Sequence, residues 1–262
     1  MRNIVLRLLC GLCLVVSLAL LSACQTTRTG SAPKPTDLIV GVTPDYPPLM
    51  FRQNNRILGA EVDMAAALGK ALGRTVRFLD VKWENQIEAL LQGRTDIIMS
   101  GMTITAARKV RIAFSDPYLE LGIMPLVRMR DANKYTTAAS IFDGNARIGV
   151  KKGSTADVYA NKHCRSNAIT YVIPLNAHYF LVNRRIDVFL HDGPGVIWLA
   201  AENEADLQAI RIPLTKDKIA WGLRKDDTEL LNSVNRVLAG WKKDGTLNKI
   251  LDKWLPTMQD YK

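Results

Sequence analysis

The stretch Thr95–Tyr118, TDIIMSGMTITAARKVRIAFSDPY, decides how the rest of the chain is read. An apolar run ends at Met99, a glycine follows at position 101, and Thr103, Thr105 and Arg108 crowd the start of a helical segment. Thr105 is placed to cap a helix beginning near Ala106, which leaves first-turn amides available. Arg108 falls in that first turn, and a guanidinium presents a planar fork of donors matched to a carboxylate. A second junction of the same kind, Gly153, Ser154 and Thr155, offers a helix start without a side-chain charge, again a place for an anion. From the residues alone the rival remains open: Thr105 and Ser154 as plain caps, Arg108 as a surface charge.

Working outward, Leu38 to Val42 is a short apolar run closed by Thr-Pro, a buried strand followed by a loop. GAEVDMAAALGKALG places Val62, Ala65, Ala66, Leu68, Ala71 and Leu72 near helical spacing, with Gly73 where a helix stops. TVRFLDV alternates as a strand, ENQIEALLQG is an amphipathic helix ending at Gly93, and TDIIMSG is a strand again. This rhythm predicts an α/β domain with a mainly parallel sheet. A second, smaller α/β unit follows from ARIGVKKGSTADVYANKHC to the segment ending in LHDGPGVIWLAAE, and the chain closes with a strand and two helices.

Arg2 and Arg7 precede an apolar run from Leu8 to Leu20, then Leu21-Ser22-Ala23-Cys24. This reads as an export signal, residues 1–23, too short for a membrane span. Residues 24–36, rich in Thr, Ser, Gly and Pro, read as a flexible tether. Removing residues 1–23 takes two of the four cysteines and lowers the formal net charge from +10 to +8. Cys164 is then the one cysteine of the body, so no internal disulfide framework exists and stability comes from burial. The positive charge is spread out with no basic stripe, which argues against nucleic-acid binding. His163, His178 and His191 have no metal-site spacing, and neither a nucleophile elbow nor a phosphate loop is present.

In order and spacing, VGVTPDYPPL, GAEVDMAAALGKALG, TDIIMSGMTITAARKVRIAFSDPY, IGVKKGSTADVYA, RIDVFLHDGP, WGLRKDDTELLNSVNRVL and DGTLNKILDKW resemble the bacterial extracellular solute-binding proteins, family 3, of the polar amino-acid uptake systems. The Leu-Ser-Ala-Cys junction likewise resembles a bacterial lipobox, which implies lipidation at Cys24. The family resemblance implies a type II periplasmic-binding-protein fold: two α/β lobes joined by a two-crossing hinge. Lobe 1 would comprise 37–119 plus 218–262, lobe 2 residues 122–212, with ligand in the cleft between them. The expected protein is an extracytoplasmic, lipid-anchored, monomeric binding component for an amino acid or similar zwitterion, delivering to an ABC-type permease without a cofactor.

The resemblance also implies site roles. Arg108 with Thr103 and the backbone near Gly101 would hold the ligand carboxylate, Ser154 and Thr155 would complete that grip, and Tyr46 and Trp83 would wall the side chain. Asp192, at the carboxyl end of the strand IDVFL, is a natural partner for an ammonium; an Asx turn in HDGPG is its rival. Tyr46 and Trp83 could equally be core. The chain departs from the pattern at Thr43, where members preferring lysine or arginine often carry an acid, at Gly101, where many have serine, and at Arg184, usually glycine. Asp187 is expected to be structural. Alternatives are a secreted cyclohexadienyl dehydratase-like enzyme, with Glu120 or His191 as a cleft acid, or a ligand-sensing lipoprotein without a transporter.

Overall fold

The computed structural model describes residues 37–164 and 168–256. The expected signal segment, tether and Cys24 lie outside them. Two five-stranded sheets carry the fold. The strands are β1 (Asp37–Val42), β2 (Asp45–Tyr46), β3 (Met50–Gln53), β4 (Arg56–Leu58), β5 (Thr75–Asp80), β6 (Ile97–Ile98), β7 (Ala113–Phe114) and β8 (Leu119–Glu120). They continue with β9 (Ile123–Arg128), β10 (Ile148–Val150), β11 (Ile169–Tyr171), β12 (Val188–Asp192), β13 (Leu207–Ala209), β14 (Lys218–Ile219) and β15 (Gly222–Leu223). The first sheet runs β5-β1-β6-β15-β7 and the second β11-β10-β12-β9-β13. In each, four strands share one direction and a single strand, β15 in the first sheet and β9 in the second, runs against them.

Helices fill the crossovers. The Ala60–Leu72 helix joins β4 to β5 and buries Met64, Ala65 and Leu68 on one face. In the helix Thr228–Asp244, Leu230, Val234, Leu238 and Trp241 recur at helical spacing and form its buried stripe. Asp227 caps that helix by accepting the Leu230 amide at 3.1 Å. The last helix, Thr246–Trp254, returns to the Ala60–Leu72 helix, where Lys253 and the Trp254 indole both reach Asp63 at 2.7 Å. No helix among the described residues is long and apolar enough to cross a membrane.

The chain passes between the two sheets twice, and the crossings pair as β8 with β14. Beside them the Ile123 amide donates to Thr215 Oγ1 at 2.9 Å and the Leu121 amide to the Asp217 carbonyl at 3.0 Å. One apolar cluster is continuous across this waist, from Trp221, Met64 and Leu38 through Tyr46, Leu121 and Met124 to Phe189. A second cluster, including Ile148, Val150, Val188 and Ala160, belongs to the second sheet. Asp187 is structural there: it takes Arg128 at 2.8 Å and Arg147 at 2.8 Å, and those guanidiniums hold its pKa far below the usual carboxylate range.

Candidate functional site

The two strand-to-helix junctions face each other. Thr105 accepts the Arg108 amide at 3.1 Å and caps the Ala106–Arg111 helix. The Arg108 side chain turns back, donating from one terminal nitrogen to the Thr103 carbonyl at 2.8 Å. Its other terminal nitrogen lies 3.3 Å from the Gly153 carbonyl, in the second lobe. The Thr103 carbonyl thereby positions the guanidinium. At Gly153, Ser154 Oγ accepts the Asp157 amide at 3.1 Å while Asp157 accepts the Gly153 amide at 2.8 Å. This reciprocal cap fixes the start of the Thr155–His163 helix, whose Thr155 and Ala156 amides, in the first turn, have no intrahelical acceptor.

Asp192 ends β12 and precedes the Gly193–Glu202 helix. Its carboxylate makes no cap hydrogen bond to that helix, so the Asx-turn rival does not describe it. It instead receives the Thr155 hydroxyl at 3.4 Å. Burial raises its pKa to about 6, and the charge of Asp217 adds to the rise; Arg108, Thr155 and Tyr46 oppose it. Burial also pulls the Arg108 pKa down, against the charges of Asp192 and Asp217. Opposite charges from the two lobes therefore act on each other across the cleft.

Trp83 stands in a short 3₁₀ turn after β5 and meets two cations: the Arg108 guanidinium carbon is 5.2 Å from the ring centroid and Lys151 Nζ is 4.8 Å from it. Tyr46 is a different case. Its ring is almost completely buried, edge-on to His191 at 4.6 Å between centroids, and closely packed on Gly101 and Gly195. The hydroxyl is close enough to the Asp192 carboxylate to act on it but makes no hydrogen bond of good geometry among the described residues. Burial, then the charge of Asp192, pushes its pKa well up. Tyr46 is thus a strut between the lobes as much as a wall.

Gly101 departs from expectation. Its amide donates to Glu61 Oε2 at 2.7 Å, so the protein itself takes the donor that was assigned to ligand. Glu61 also accepts the Tyr118 hydroxyl at 2.8 Å. Burial raises the Glu61 pKa to about 7, against hydrogen bonds from Tyr118, Gly101 and Trp221. Glu61 was not singled out in the sequence; an acid one residue into an otherwise apolar helix face was the available signal. Asp217 and Lys151 were missed as well, because the loop holding Asp217 shows no periodic pattern and Lys151 looks like one more surface lysine.

Three further positions are now placed. Thr43 is buried and turned inward, its hydroxyl donating to the Val81 carbonyl at 2.7 Å and accepting from Gln86 at 2.9 Å. Glu120 is exposed and pairs with Lys218 at 2.9 Å on the hinge strands. His191 accepts the Asp192 amide on Nδ1 at 2.7 Å, which puts its proton on Nε2, and burial followed by the charge of Lys151 lowers its pKa to about 3. Of the two proposed cleft acids, Glu120 is thus exposed in an ion pair on the hinge strands and His191 is a buried neutral ring.

Comparisons with known proteins fit this geometry. An L-cystine-binding protein of Escherichia coli K12 is 28% identical over 83% of this chain and 82% of its own. Among solved structures, an ancestral arginine-binding protein bound to glutamine is 29% identical with a TM-score of 0.78, covering 85% of this chain and 99% of that one. The ancestral amino-acid-binding protein AncCDT-1, a precursor of cyclohexadienyl dehydratase, is 34% identical with a TM-score of 0.75, covering 84% and 95%. With a two-lobe type II periplasmic-binding fold, and a family model matched over residues 38–257, the chain belongs to the bacterial extracellular solute-binding proteins, family 3.

Proposed function

We propose that this chain is the extracytoplasmic binding component of an ABC uptake system and that it captures an amino acid in the cleft between its lobes. The observation that carries the reading is that Arg108 from one lobe and Asp192 from the other converge on the Gly153–Thr155 turn, the guanidinium 3.3 Å from the Gly153 carbonyl and the carboxylate 3.4 Å from the Thr155 hydroxyl. A zwitterion bridges such a pair: carboxylate to Arg108 and the first-turn amides at Thr155, ammonium to Asp192, with Asp217 behind it and Trp83 alongside. Ligand contacts both lobes only when they are closed, so binding favours closure. The names of the relatives support the amino-acid class.

The delivery steps extend this reading. The signal at 1–23, lipidation at Cys24 and the tether at 24–36 would hold the body, with lobes near 37–119 plus 218–262 and 122–212, beside a membrane permease. The reading is tested by calorimetric titration of the purified protein with the twenty amino acids. One or more should bind with micromolar or tighter affinity, and Arg108→Ala should abolish the heat while leaving the unliganded melting midpoint nearly unchanged. An Arg108→Ala protein that melts early and binds normally after stabilisation would make the arginine structural.

A further inference from the structure

Lys151 follows β10 in the second lobe, and its ammonium is held inside the cleft. Nζ lies 2.6 Å from the Asp45 carboxylate of the first lobe and 4.8 Å from the centre of the Trp83 ring. The Lys151 and Asp45 side chains are largely shielded, 12% and 19% exposed. A carboxylate and an indole face converging on one ammonium are the elements that recognise a basic side chain. Here the protein supplies that ammonium itself.

We propose that Lys151 occupies the basic side-chain subsite of the cleft, so that the ligand is an amino acid with an uncharged side chain. The inference rests on the amino-acid reading above and names the ligand class within it. A ligand lysine or arginine would find Asp45 already paired and Trp83 already shared between Lys151 and Arg108. Thr43 offers no substitute acid, because its hydroxyl is spent on Val81 and Gln86. An acidic side chain would meet Asp45 and compete for its lysine. An uncharged side chain leaves the pair, and the inter-lobe contact it makes, intact. Asp217 does not alter this balance: it accepts the Thr215 hydroxyl at 2.6 Å and acts on Asp192 and Arg108, at the ammonium end.

The test is isothermal titration of the full protein with glutamine, asparagine, serine and methionine, with arginine and lysine, and with glutamate and aspartate. Wild type should bind at least one uncharged amino acid tenfold or more tightly than any charged one. Lys151→Ala and Lys151→Met, the second keeping the packing of the stem, should each gain tenfold or more for arginine or lysine. Asp45→Asn, which leaves the lysine unpaired, should gain for glutamate or aspartate. A wild-type preference for a charged side chain, or lysine variants that fold and gain nothing for basic ligands, overturns the inference while leaving the amino-acid reading standing. Wild type that binds none of the eight, nor any other amino acid, removes both.

Discussion

A side chain at position 101 would collide with Tyr46: a Cβ built on Gly101 falls 2.4 Å from Cε1 of the ring and 2.6 Å from Cδ1. The backbone there also has φ 63°, a conformation that side chains disfavour. Gly101 therefore makes room for the aromatic strut between the lobes. Gly101→Ala should cost about 3 kcal/mol, part backbone and part displaced ring. In a Tyr46→Ala background the same change should cost only about 1 kcal/mol, the backbone share. Urea denaturation of the four proteins measures the coupling.

Ligand affinity should depend on pH through Asp192. Its carboxyl titrates near 6 in the unliganded site because it is buried and faces Asp217. An ammonium needs the ionised form, so affinity should rise as pH increases through 6 and level off above about 7. Below 6 each pH unit should cost close to tenfold. Asp192→Asn should bind at least about 100-fold more weakly at pH 7.5, the order expected when one partner of a buried charge pair is removed, and should lose the slope. Titrations from pH 4.5 to 8 read both effects.

Much of this was legible before any coordinates. The Ala60–Leu72 helix, β1, β5 and the caps at Thr105 and Ser154 follow from period and cap chemistry, which are local properties. The convergence of Arg108 and Asp192 came from resemblance, since 84 positions of sequence separate them and no spacing rule links them. What stayed hidden is tertiary: that Gly101 spends its amide on Glu61, that Tyr46 lies on Gly101, and that Lys151 turns inward to Asp45 across 106 residues. Each depends on two lobes meeting, and a lysine in a loop carries no mark of the side it faces.

Stability should fall as pH rises through the neutral range, on account of Glu61. Its carboxyl is raised from 4.5 to about 7 by burial. Between those values the folded protein keeps a proton that the unfolded chain has released. Stability linked to this group is fully present below pH 4.5 and is lost as pH passes through about 7. The shift corresponds to something on the order of 3 kcal/mol. Asp192, also raised, adds in the same direction. Glu61→Gln should flatten the dependence between pH 5 and 8 in the unliganded protein, as read by denaturant midpoints. A curve unchanged in slope would place the proton elsewhere.

The hinge should tolerate no side chain at Gly122. A Cβ there would lie 1.7 Å from the Thr215 carbonyl oxygen and 2.4 Å from its carbon, and both are backbone atoms of the second crossing. Flexible side chains can yield to an intrusion, but this one meets a backbone segment held by the Thr215 hydroxyl on the Ile123 amide and the Asp217 carbonyl on the Leu121 amide. The two crossings must separate or the hydrogen bonds between them must break. Gly122→Ala should therefore cost more than about 3 kcal/mol, at the upper end of overpacking effects. If the variant folds, its crossings are prised apart and closure is impaired. Ligand affinity should then fall although no cleft residue has changed. Gly240→Ala, inside the Thr228–Asp244 helix with open space around the added carbon, is the control and should stabilise by up to about 1 kcal/mol. Denaturant midpoints and ligand titrations on the two variants separate a crowded hinge from a general intolerance of glycine substitution.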